Sequence, residues 1–132
     1  MKILVAEDDR TSRKSLETTI GKWGYDVVTA ADGVEAWDVF QKQGEEFPLI
    51  MLDLKMPRIS GLEVCRKVRS LSDARLPYII FLSARESKSI IAEGLLAGAD
   101  DYITKPFDQT ELKAGFTSAK GLCTFSRRLR TM

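Results

Sequence analysis

The amino-acid sequence predicts an α/β fold: one doubly wound domain of five β/α units around a five-stranded parallel sheet. Short apolar runs alternate five times with longer segments of helical period, which is the pattern of β/α repeats. Most of these runs are continuous, as expected of parallel strands covered on both faces. The length of 132 residues lies close to the ~150 residues typical of one domain, and no linker rich in serine and glycine divides the chain.

Five apolar runs are the strand candidates, and the third and fourth are expected to lie deepest in the core. The runs are Ile3 to Ala6, Tyr25 to Thr29, Leu49 to Leu52, Tyr78 to Leu82, and Tyr102 to Thr104. Between them, apolar residues recur three or four positions apart, which predicts helices with one face on the core. These core positions are Leu16, Ile20 and Trp23, then Val34, Trp37 and Phe40, then Val64, Val68 and Leu71.

Polar residues mark where several helices begin. An aspartate or serine three positions before a glutamate predicts a capping box, in which two side chains satisfy free amide groups reciprocally. The pairs are Asp32 with Glu35, Ser60 with Glu63, and Asp108 with Glu111. Gly98 is expected to close the fourth helix. The last helix is predicted from about Gln109 toward Arg130, and its end is left open because Gly115 and Gly121 each cost about 1 kcal/mol relative to alanine.

Composition excludes several classes of function. The chain has no histidine, which rules out Ser-His-Asp and Cys-His catalysis and histidine-rich zinc sites. Cys65 and Cys123 fit no metal-binding spacing and are expected to be small side chains on helices. The net charge of +1 gives no overall attraction to nucleic acid or to an anionic membrane. No apolar run approaches the roughly 18–20 residues of a membrane span, and no signal peptide is evident, so a cytoplasmic protein is expected.

The residues that follow the predicted strands carry the candidate chemistry. In an open parallel sheet, ligands bind outside the carboxyl ends of the strands. Those positions hold Glu7-Asp8-Asp9, Asp53, Ser83 and Lys105-Pro106. Two carboxylates about 4 Å apart repel by about 4 kcal/mol at an effective dielectric constant near 20, so we expect a cation among them. Oxygen ligands without histidine or thiolate favour a hard cation such as Mg²⁺.

A carboxylate, an ammonium and a hydroxyl at one edge favour phosphoryl transfer. Lys105 supplies a cation and Ser83 a donor for the oxygens of a transferring phosphoryl group, and Asp53 as nucleophile would form an acyl phosphate. Each feature alone has a simpler explanation: an acidic pair suits a helix N-terminus, an aspartate caps turns, and Lys-Pro is mostly a turn. Their joint occurrence at the ends of successive strands favours the phosphoryl-transfer interpretation.

Five sequence blocks carry a resemblance to a known family. They are Leu4-Val5-Ala6-Glu7-Asp8-Asp9, Leu52-Asp53-Leu54-Lys55-Met56-Pro57 with Gly61, Leu82-Ser83-Ala84, Gly94 to Tyr102, and Lys105-Pro106-Phe107. Together they resemble the signature motifs of response-regulator receiver domains of two-component signalling, the CheY-like superfamily. The resemblance covers roughly Lys2 to Arg128. It implies a receiver domain at residues 1–128, and a tail at 129–132 that would lead toward an output domain, such as a DNA-binding or cyclic-dinucleotide-synthesising module.

The resemblance implies a flavodoxin-like sheet in the order 2-1-3-4-5 and a defined phosphorylation site. Asp53 would accept a phosphoryl group from the phosphohistidine of a sensor histidine kinase or of a phosphotransfer protein. The implied cofactor is Mg²⁺, and its implied ligands are Asp8, Asp9, Asp53 and the backbone carbonyl of Lys55. The domain would catalyse only its own phosphorylation and dephosphorylation and would not be an enzyme in the ordinary sense.

The resemblance also implies a conformational switch. Lys105, which is expected to precede a cis bond to Pro106, would pair with the phosphoryl group. Ser83 would move onto a phosphoryl oxygen, and Tyr102 would turn inward behind it. The switched face would consist of the fourth helix, the fifth strand and the fifth helix, where homodimers or outputs form. No membrane partner and no direct contact with nucleic acid are expected for this domain.

Some residues depart from the family's usual pattern or extend it. Ser60 stands where the family commonly has aspartate, but it retains the capping box with Glu63. Lys55 and Arg85 are basic at positions that the family varies to tune phosphoryl lifetime, so they either shield the acyl phosphate from water or are solvated cations on the rim. After Glu111 the chain carries no acid and gains five basic residues, which favours a solvated helix face over the alternative of a weak contact with nucleic acid or lipid. These residues are Lys113, Lys120, Arg127, Arg128 and Arg130.

Three rival interpretations remain to be weighed. An aspartyl-phosphate phosphatase would need an Asp-x-Asp nucleophile motif after the first strand and a cap domain, whereas Asp8 and Asp9 are adjacent. A nucleotide- or flavin-binding domain would need a glycine-rich phosphate loop, and neither common form of that motif occurs. The third rival is a degenerate receiver that acts unphosphorylated as a protein interaction module. Failure of acetyl phosphate to label Asp53 would favour this third interpretation.

Overall fold

Five parallel strands and their connecting helices form the architecture. The computed structural model describes residues 2–43, 46–71, 77–84, 88–105, 109–110, 112–113 and 116. The strands are β1 (Lys2–Ala6), β2 (Asp26–Ala30), β3 (Leu49–Asp53), β4 (Tyr78–Ala84) and β5 (Asp101–Lys105). The helices are α1 (Arg10–Lys22), α2 (Gly33–Gln43), α3 (Gly61–Ser70) and α4 (Lys88–Leu96), and the described residues from 109 to 116 are also helical. The order is β2-β1-β3-β4-β5, so the predicted fold class and strand order are both confirmed.

The sheet is buried on both faces, which explains why its strands are continuous apolar runs. Successive residues of β1 point to opposite sides, so that Leu4 and Ala6 enter one core whereas Ile3 and Val5 enter the other. α2 and α3 close the first core. α1, Leu112 and Phe116 close the second. Strand β3 is buried along its whole length, as predicted, and β1 from Ile3 to Ala6 is buried as completely.

The strands β3, β4 and β5 extend past their apolar runs to include the predicted site residues. Asp53, Ser83 and Lys105 are strand residues and not loop residues. Asp53 pairs in register with Leu82, and Ser83 pairs with Thr104. Parallel strands pair through hydrogen bonds between backbone groups, and polar residues can form these bonds as well as apolar ones. The end of an apolar run therefore does not show where a strand ends. The sheet therefore fixes the backbone of all three residues.

Two positions predicted to lie in the core are exposed. Val34 is 38% exposed and Leu71 is 43% exposed. In α2 the buried stripe runs through Gly33, Ala36 and Phe40, which turns Val34 toward solvent. Leu71 follows the last residue of α3 with an extended backbone, at ψ 116°, and therefore leaves the helix face that Val64 and Val68 share. The other predicted core positions are buried or half-buried.

The helix termini largely follow the predicted capping. The Ser60 hydroxyl accepts a hydrogen bond from the Glu63 amide at 3.3 Å, and Asp32 Oδ1 accepts one from the Glu35 amide at 2.8 Å. Glu35 in turn accepts from the amide of Ala31, one residue before the expected partner. Gly98 follows α4 with a positive φ of 116°, which suits its predicted role as a helix terminator.

Several predictions fall outside the described residues. They concern Cys123, Arg85, the bond to Pro106, the box of Asp108 with Glu111, and the basic residues beyond Lys113. Cys65 is buried, as expected of a small core side chain. None of the helices in the described part of the chain combines the length and apolar character needed to cross a bilayer.

Candidate functional site

Four strands bring the candidate residues to one edge of the sheet. The Glu7 amide continues the ladder past β1 by donating to the Ala30 carbonyl at 3.0 Å. The Leu54 amide does the same past β3, donating to Leu82 at 3.0 Å. Ala84 pairs with Lys105 in register at the ends of β4 and β5. The carboxyl ends of the strands therefore converge, as the sequence predicted.

Lys105 joins two carboxylates at the centre of this edge. Its Nζ atom lies 2.9 Å from Asp53 Oδ2 and 2.7 Å from Glu7 Oε1. Glu7 has no exposed surface, and Asp53 is only 4% exposed. Charge-assisted contacts of this length are strong because little water competes for them. The Lys105 ammonium is thus held directly above the proposed acceptor.

Three carboxylates form a cluster that could hold a metal ion. Glu7, Asp8 and Asp53 each offer an oxygen, and these three oxygens lie within 4.8 Å of one another. Asp8 is exposed, whereas the other two are buried. One ammonium cannot neutralise three carboxylates, so the cluster must take up a proton or a further cation. All three ligand atoms are oxygens, which suits a hard divalent cation.

The pKa values of the cluster reflect this excess of negative charge. Burial raises the pKa of Glu7, and the hydrogen bond between Glu7 and Asp53 raises it further, to about 8. Burial acts to raise the pKa of Asp53 as well, but the hydrogen bonds from Glu7 and Lys105 lower it below the usual value. The same two carboxylates raise the pKa of Lys105 against the opposing effect of burial. Asp53 is therefore the ionised member of the pair, and Glu7 is the protonated one.

Asp9 has a different place from the one the sequence suggested. Its Oδ2 atom accepts a hydrogen bond from the Ser12 amide at 2.8 Å and caps the N-terminus of α1. The hydrogen bonds from Ser12 lower the pKa of Asp9. Asp9 is not among the three clustered carboxylates, and Glu7 is. The sequence-based set of ligands thus contains Asp9 where the structure clusters Glu7. The sequence signal that separates them is an aspartate directly before a helix, a residue type favoured at the N-cap.

Lys55 and Gly61 shape the backbone around Asp53. The Lys55 amide donates to Asp53 Oδ1 at 3.2 Å, while the Lys55 side chain is exposed on the rim. A Cβ atom at Gly61 would lie 2.2 Å from the Asp53 carbonyl oxygen, so only glycine permits this approach. Between them, Arg58 adopts a positive φ of 70°, and the Gly61 amide closes the loop by donating to Leu54 at 3.1 Å.

The two predicted switch residues differ in exposure. Ser83 is 3% exposed, and its Oγ atom makes no hydrogen bond with the part of the chain that the structure describes. Tyr102 is 41% exposed. A buried hydroxyl without a partner is unfavourable by about 1–3 kcal/mol, which leaves Ser83 ready to bond an oxygen placed in the crevice.

An open groove adjoins the cluster and gives access to it. Its volume is about 700 Å³. Its walls come from the loop after β3, from Asp8 and from α4. The lining residues are Asp8, Leu54, Lys55, Met56, Pro57, Ser60, Leu62 and Glu93. Of the three clustered carboxylates, only Asp8 lines this groove.

Known proteins resemble the chain over most of its length. The family profile described as "Response regulator receiver domain" matches residues 3–117. Response regulator MprA of Mycobacterium avium is 49% identical over 114 residues, which are 86% of this chain and 48% of that protein. Chemotaxis protein CheY4 of Vibrio cholerae superposes with a TM-score of 0.81 and 32% identity, covering 89% of this chain and 97% of that one.

A further solved structure is similar over only part of its own length. It is a probable two-component system response regulator/GGDEF domain protein, with a TM-score of 0.87 and 26% identity, and the match covers 94% of this chain and 50% of that one. The chain likewise spans about half the length of the curated relatives it matches.

Proposed function

This chain belongs to the family of response-regulator receiver domains, and on that premise we propose that Asp53 accepts a phosphoryl group from a phosphohistidine. The donor would be a sensor histidine kinase or a phosphotransfer protein, met in the cytoplasm. The observation that carries the proposal is the Lys105 ammonium, 2.9 Å from Asp53 at the end of a buried strand. A carboxylate kept ionised beside a fixed cation suits attack on phosphorus and formation of an acyl phosphate.

The ligands that we propose for Mg²⁺ are Glu7, Asp8 and Asp53, together with the Lys55 carbonyl that the family resemblance implies. The clustered oxygens and the unbalanced negative charge fit a hard divalent cation. The set expected from the sequence had Asp9 in place of Glu7, and in the structure the Asp9 carboxylate caps α1. When bound, the ion would neutralise charge on the phosphoryl oxygens.

Lys105 and Ser83 would recognise the phosphoryl group once it is on Asp53. Lys105 already contacts Asp53, and Ser83 has a buried hydroxyl that lacks a partner among the described residues. Charge-assisted hydrogen bonds contribute about 1.5–3 kcal/mol each. A shift from 1:99 to 99:1 needs about 5.5 kcal/mol, and only the Ser83 contact would be new, because Lys105 already contacts Asp53. A movement of Ser83 and an inward turn of Tyr102 would therefore contribute part of the free energy that resets the neighbouring face.

The output surface that we propose comprises α4, β5 and the helical residues after β5. It carries exposed apolar side chains, among them Leu95, Leu96 and Tyr102, of which Leu96 is 89% exposed. Exposed apolar groups of this kind favour a protein contact. A homodimer or an output domain in the same polypeptide would cover them. The half-length match to relatives supports an output domain.

Intact mass spectrometry after incubation with acetyl phosphate tests the proposal. Wild type should gain one phosphoryl group only when Mg²⁺ is present, and Asp53→Asn should gain none. Asp38→Asn, an exposed aspartate of α2 paired with Lys42, is the matched control and should be labelled like wild type. A label that persists in Asp53→Asn would assign another acceptor. No label in wild type would favour a receiver that acts unphosphorylated as an interaction module.

A further inference from the structure

Arg13 connects α1 to the backbone that presents two of the clustered carboxylates. Its Nη1 atom donates to the Glu7 carbonyl oxygen at 3.0 Å and lies 3.5 Å from the Asp8 carbonyl oxygen. The side chain is half-buried. It takes no direct part in the carboxylate cluster, which consists of Glu7, Asp8 and Asp53.

The peptide after β1 is therefore held from two sides. The Glu7 amide is bound to Ala30 of β2, and the Glu7 carbonyl is bound to Arg13 of α1. Within this short segment, Glu7 is fully buried and Asp8 is exposed, although both must direct an oxygen to one point. The directions of two adjacent side chains depend on the orientation of the peptide between them. The Glu7 carbonyl is the oxygen of that peptide, and Arg13 donates to it; the Asp8 carbonyl, at the longer distance, belongs to the next peptide.

We propose that Arg13 is a positioning residue for the divalent cation: its guanidinium orients the Glu7–Asp8 peptide so that both carboxylates meet Asp53. This inference rests on the proposed function, since it concerns the proposed ligands of Mg²⁺. Residues that orient metal ligands commonly change metal affinity by about 10–100-fold. One contact is short and the other is long, so the expected loss on removing Arg13 is near the lower end, about tenfold.

The charge of Arg13 and its orienting contacts predict opposite changes in Mg²⁺ affinity when Arg13 is removed. A guanidinium bound to the backbone of two proposed ligands repels an incoming cation, so electrostatics alone predicts that its removal strengthens the binding of Mg²⁺. Orientation of the ligands predicts the opposite. Lysine at this position keeps the charge but lacks the planar fork of donors. Arg13→Lys should therefore show an intermediate loss if orientation matters, and wild-type affinity if only charge matters.

Titration calorimetry of Mg²⁺ into wild type, Arg13→Ala, Arg13→Lys and Lys14→Ala tests the inference. Lys14 is the matched control, because it is an exposed cation on the same helix and pairs with Glu17 at 3.5 Å. We expect about tenfold weaker binding for Arg13→Ala, a smaller loss for Arg13→Lys, and little change for Lys14→Ala. Circular dichroism and thermal unfolding establish that each variant is folded, and Arg13→Gln replaces the alanine variant if that one is not.

Unchanged or tighter binding in Arg13→Ala overturns the inference, as does an equal loss in Lys14→Ala. The proposed function is judged separately by labelling wild type with acetyl phosphate. If wild type is labelled on Asp53 while Arg13→Ala binds Mg²⁺ normally, the receiver function stands and the positioning role fails. If wild type neither binds Mg²⁺ nor is labelled, the proposed function fails, and the positioning role fails with it.

Discussion

Glu7 is a carboxylic acid without exposed surface, held between Asp53 and the ammonium of Lys105. Burial, together with the hydrogen bond to Asp53, raises its pKa to about 8, compared with 4.5 for an unperturbed glutamate. The folded chain therefore keeps a proton that the unfolded chain releases at much lower pH. Folding is coupled to pH at this single residue.

The free energy of unfolding of the metal-free chain is expected to fall as pH rises from about 5 to about 8. In this window the native state binds more protons than the unfolded state, so stability decreases with pH. The contribution of Glu7 is complete below its unfolded pKa and is lost as pH passes through about 8. At about 1.4 kcal/mol per pKa unit, the change is on the order of a few kcal/mol.

Urea unfolding in the presence of a chelator, at several pH values, measures this dependence. Glu7→Gln is the comparison, because glutamine has the shape of the neutral acid but no proton to release. The variant should show a nearly flat profile across the same window. Parallel profiles for the two proteins would mean that Glu7 does not carry the coupling.

Lys105→Met is expected to slow the labelling of Asp53 by acetyl phosphate about 100-fold. The ammonium lies 2.9 Å from the acceptor, and removal of one donor directed at developing charge typically lowers rates by about 10²–10³. Binding of Mg²⁺ should not weaken, because the carboxylates lose a competing cation. Labelling rates at saturating Mg²⁺ and calorimetric affinities separate the two effects.

Lys42→Met serves as the control for Lys105→Met, since Lys42 is an exposed lysine paired with Asp38 on α2. It should leave both quantities unchanged. Normal labelling of Lys105→Met, or a loss explained entirely by weaker Mg²⁺ binding, would contradict the role assigned to Lys105.

At the residue scale, the sequence predicted that Asp53, Ser83 and Lys105 lie at one edge of the sheet, because each follows an apolar run that was predicted to be a strand. It did not distinguish among Glu7, Asp8 and Asp9, which are adjacent acids. Their directions depend on where the β1 ladder stops and where α1 starts. The ladder continues through the Glu7 amide, and Asp9 caps the helix. The first of these hydrogen bonds depends on pairing with β2, which composition does not specify, whereas the second is a local contact three residues along the chain.

At the scale of the elements, close packing of α3 against the end of β3 determines the geometry around Asp53. Gly61, the first residue of α3, allows the helix to begin directly over the Asp53 carbonyl. Gly21, near the end of α1, has no heavy atom within 4 Å of the position of an added Cβ. The two helical glycines thus differ in whether a side chain can be accommodated.

Gly61→Ala is expected to destabilise the chain by about 3 kcal/mol and to slow labelling of Asp53, because the added methyl group would force backbone apart. Gly21→Ala should stabilise by up to about 1 kcal/mol, as alanine does in an unobstructed helix. Thermal or urea unfolding of both variants provides the comparison. If Gly61→Ala proves as stable as wild type, the close approach of α3 to β3 is wrong.

Apolar spacing predicted the helices, but two of the nine helix positions that were predicted to lie in the core are exposed. Val34 is exposed because Gly33, Ala36 and Phe40 form the buried stripe of α2. Leu71 is exposed because α3 ends at Ser70. Periodicity shows that a helix has an apolar face, whereas rotation of that face by one residue depends on the helix it packs against.

At the scale of the whole molecule, the sheet order and the two cores place every strand end of the site on one edge. Alternating apolar and helical segments sufficed to predict the α/β class. The order 2-1-3-4-5 came from family resemblance, because segment periodicity does not determine which strands are neighbours. The exposed Leu95, Leu96 and Tyr102 lie on α4 and β5, beside the strand that carries Ser83. They belong to the surface that we propose as the output surface.

Chemical mapping of the phosphorylated residue establishes whether Asp53 is the acceptor. Borohydride reduces an aspartyl phosphate to homoserine, so the acceptor can be located by peptide mass spectrometry after labelling with acetyl phosphate and Mg²⁺. Homoserine is expected at position 53 and at no other aspartate. Homoserine at Asp8 or Asp9, or unmodified Asp53 in a folded chain that binds Mg²⁺, would contradict it.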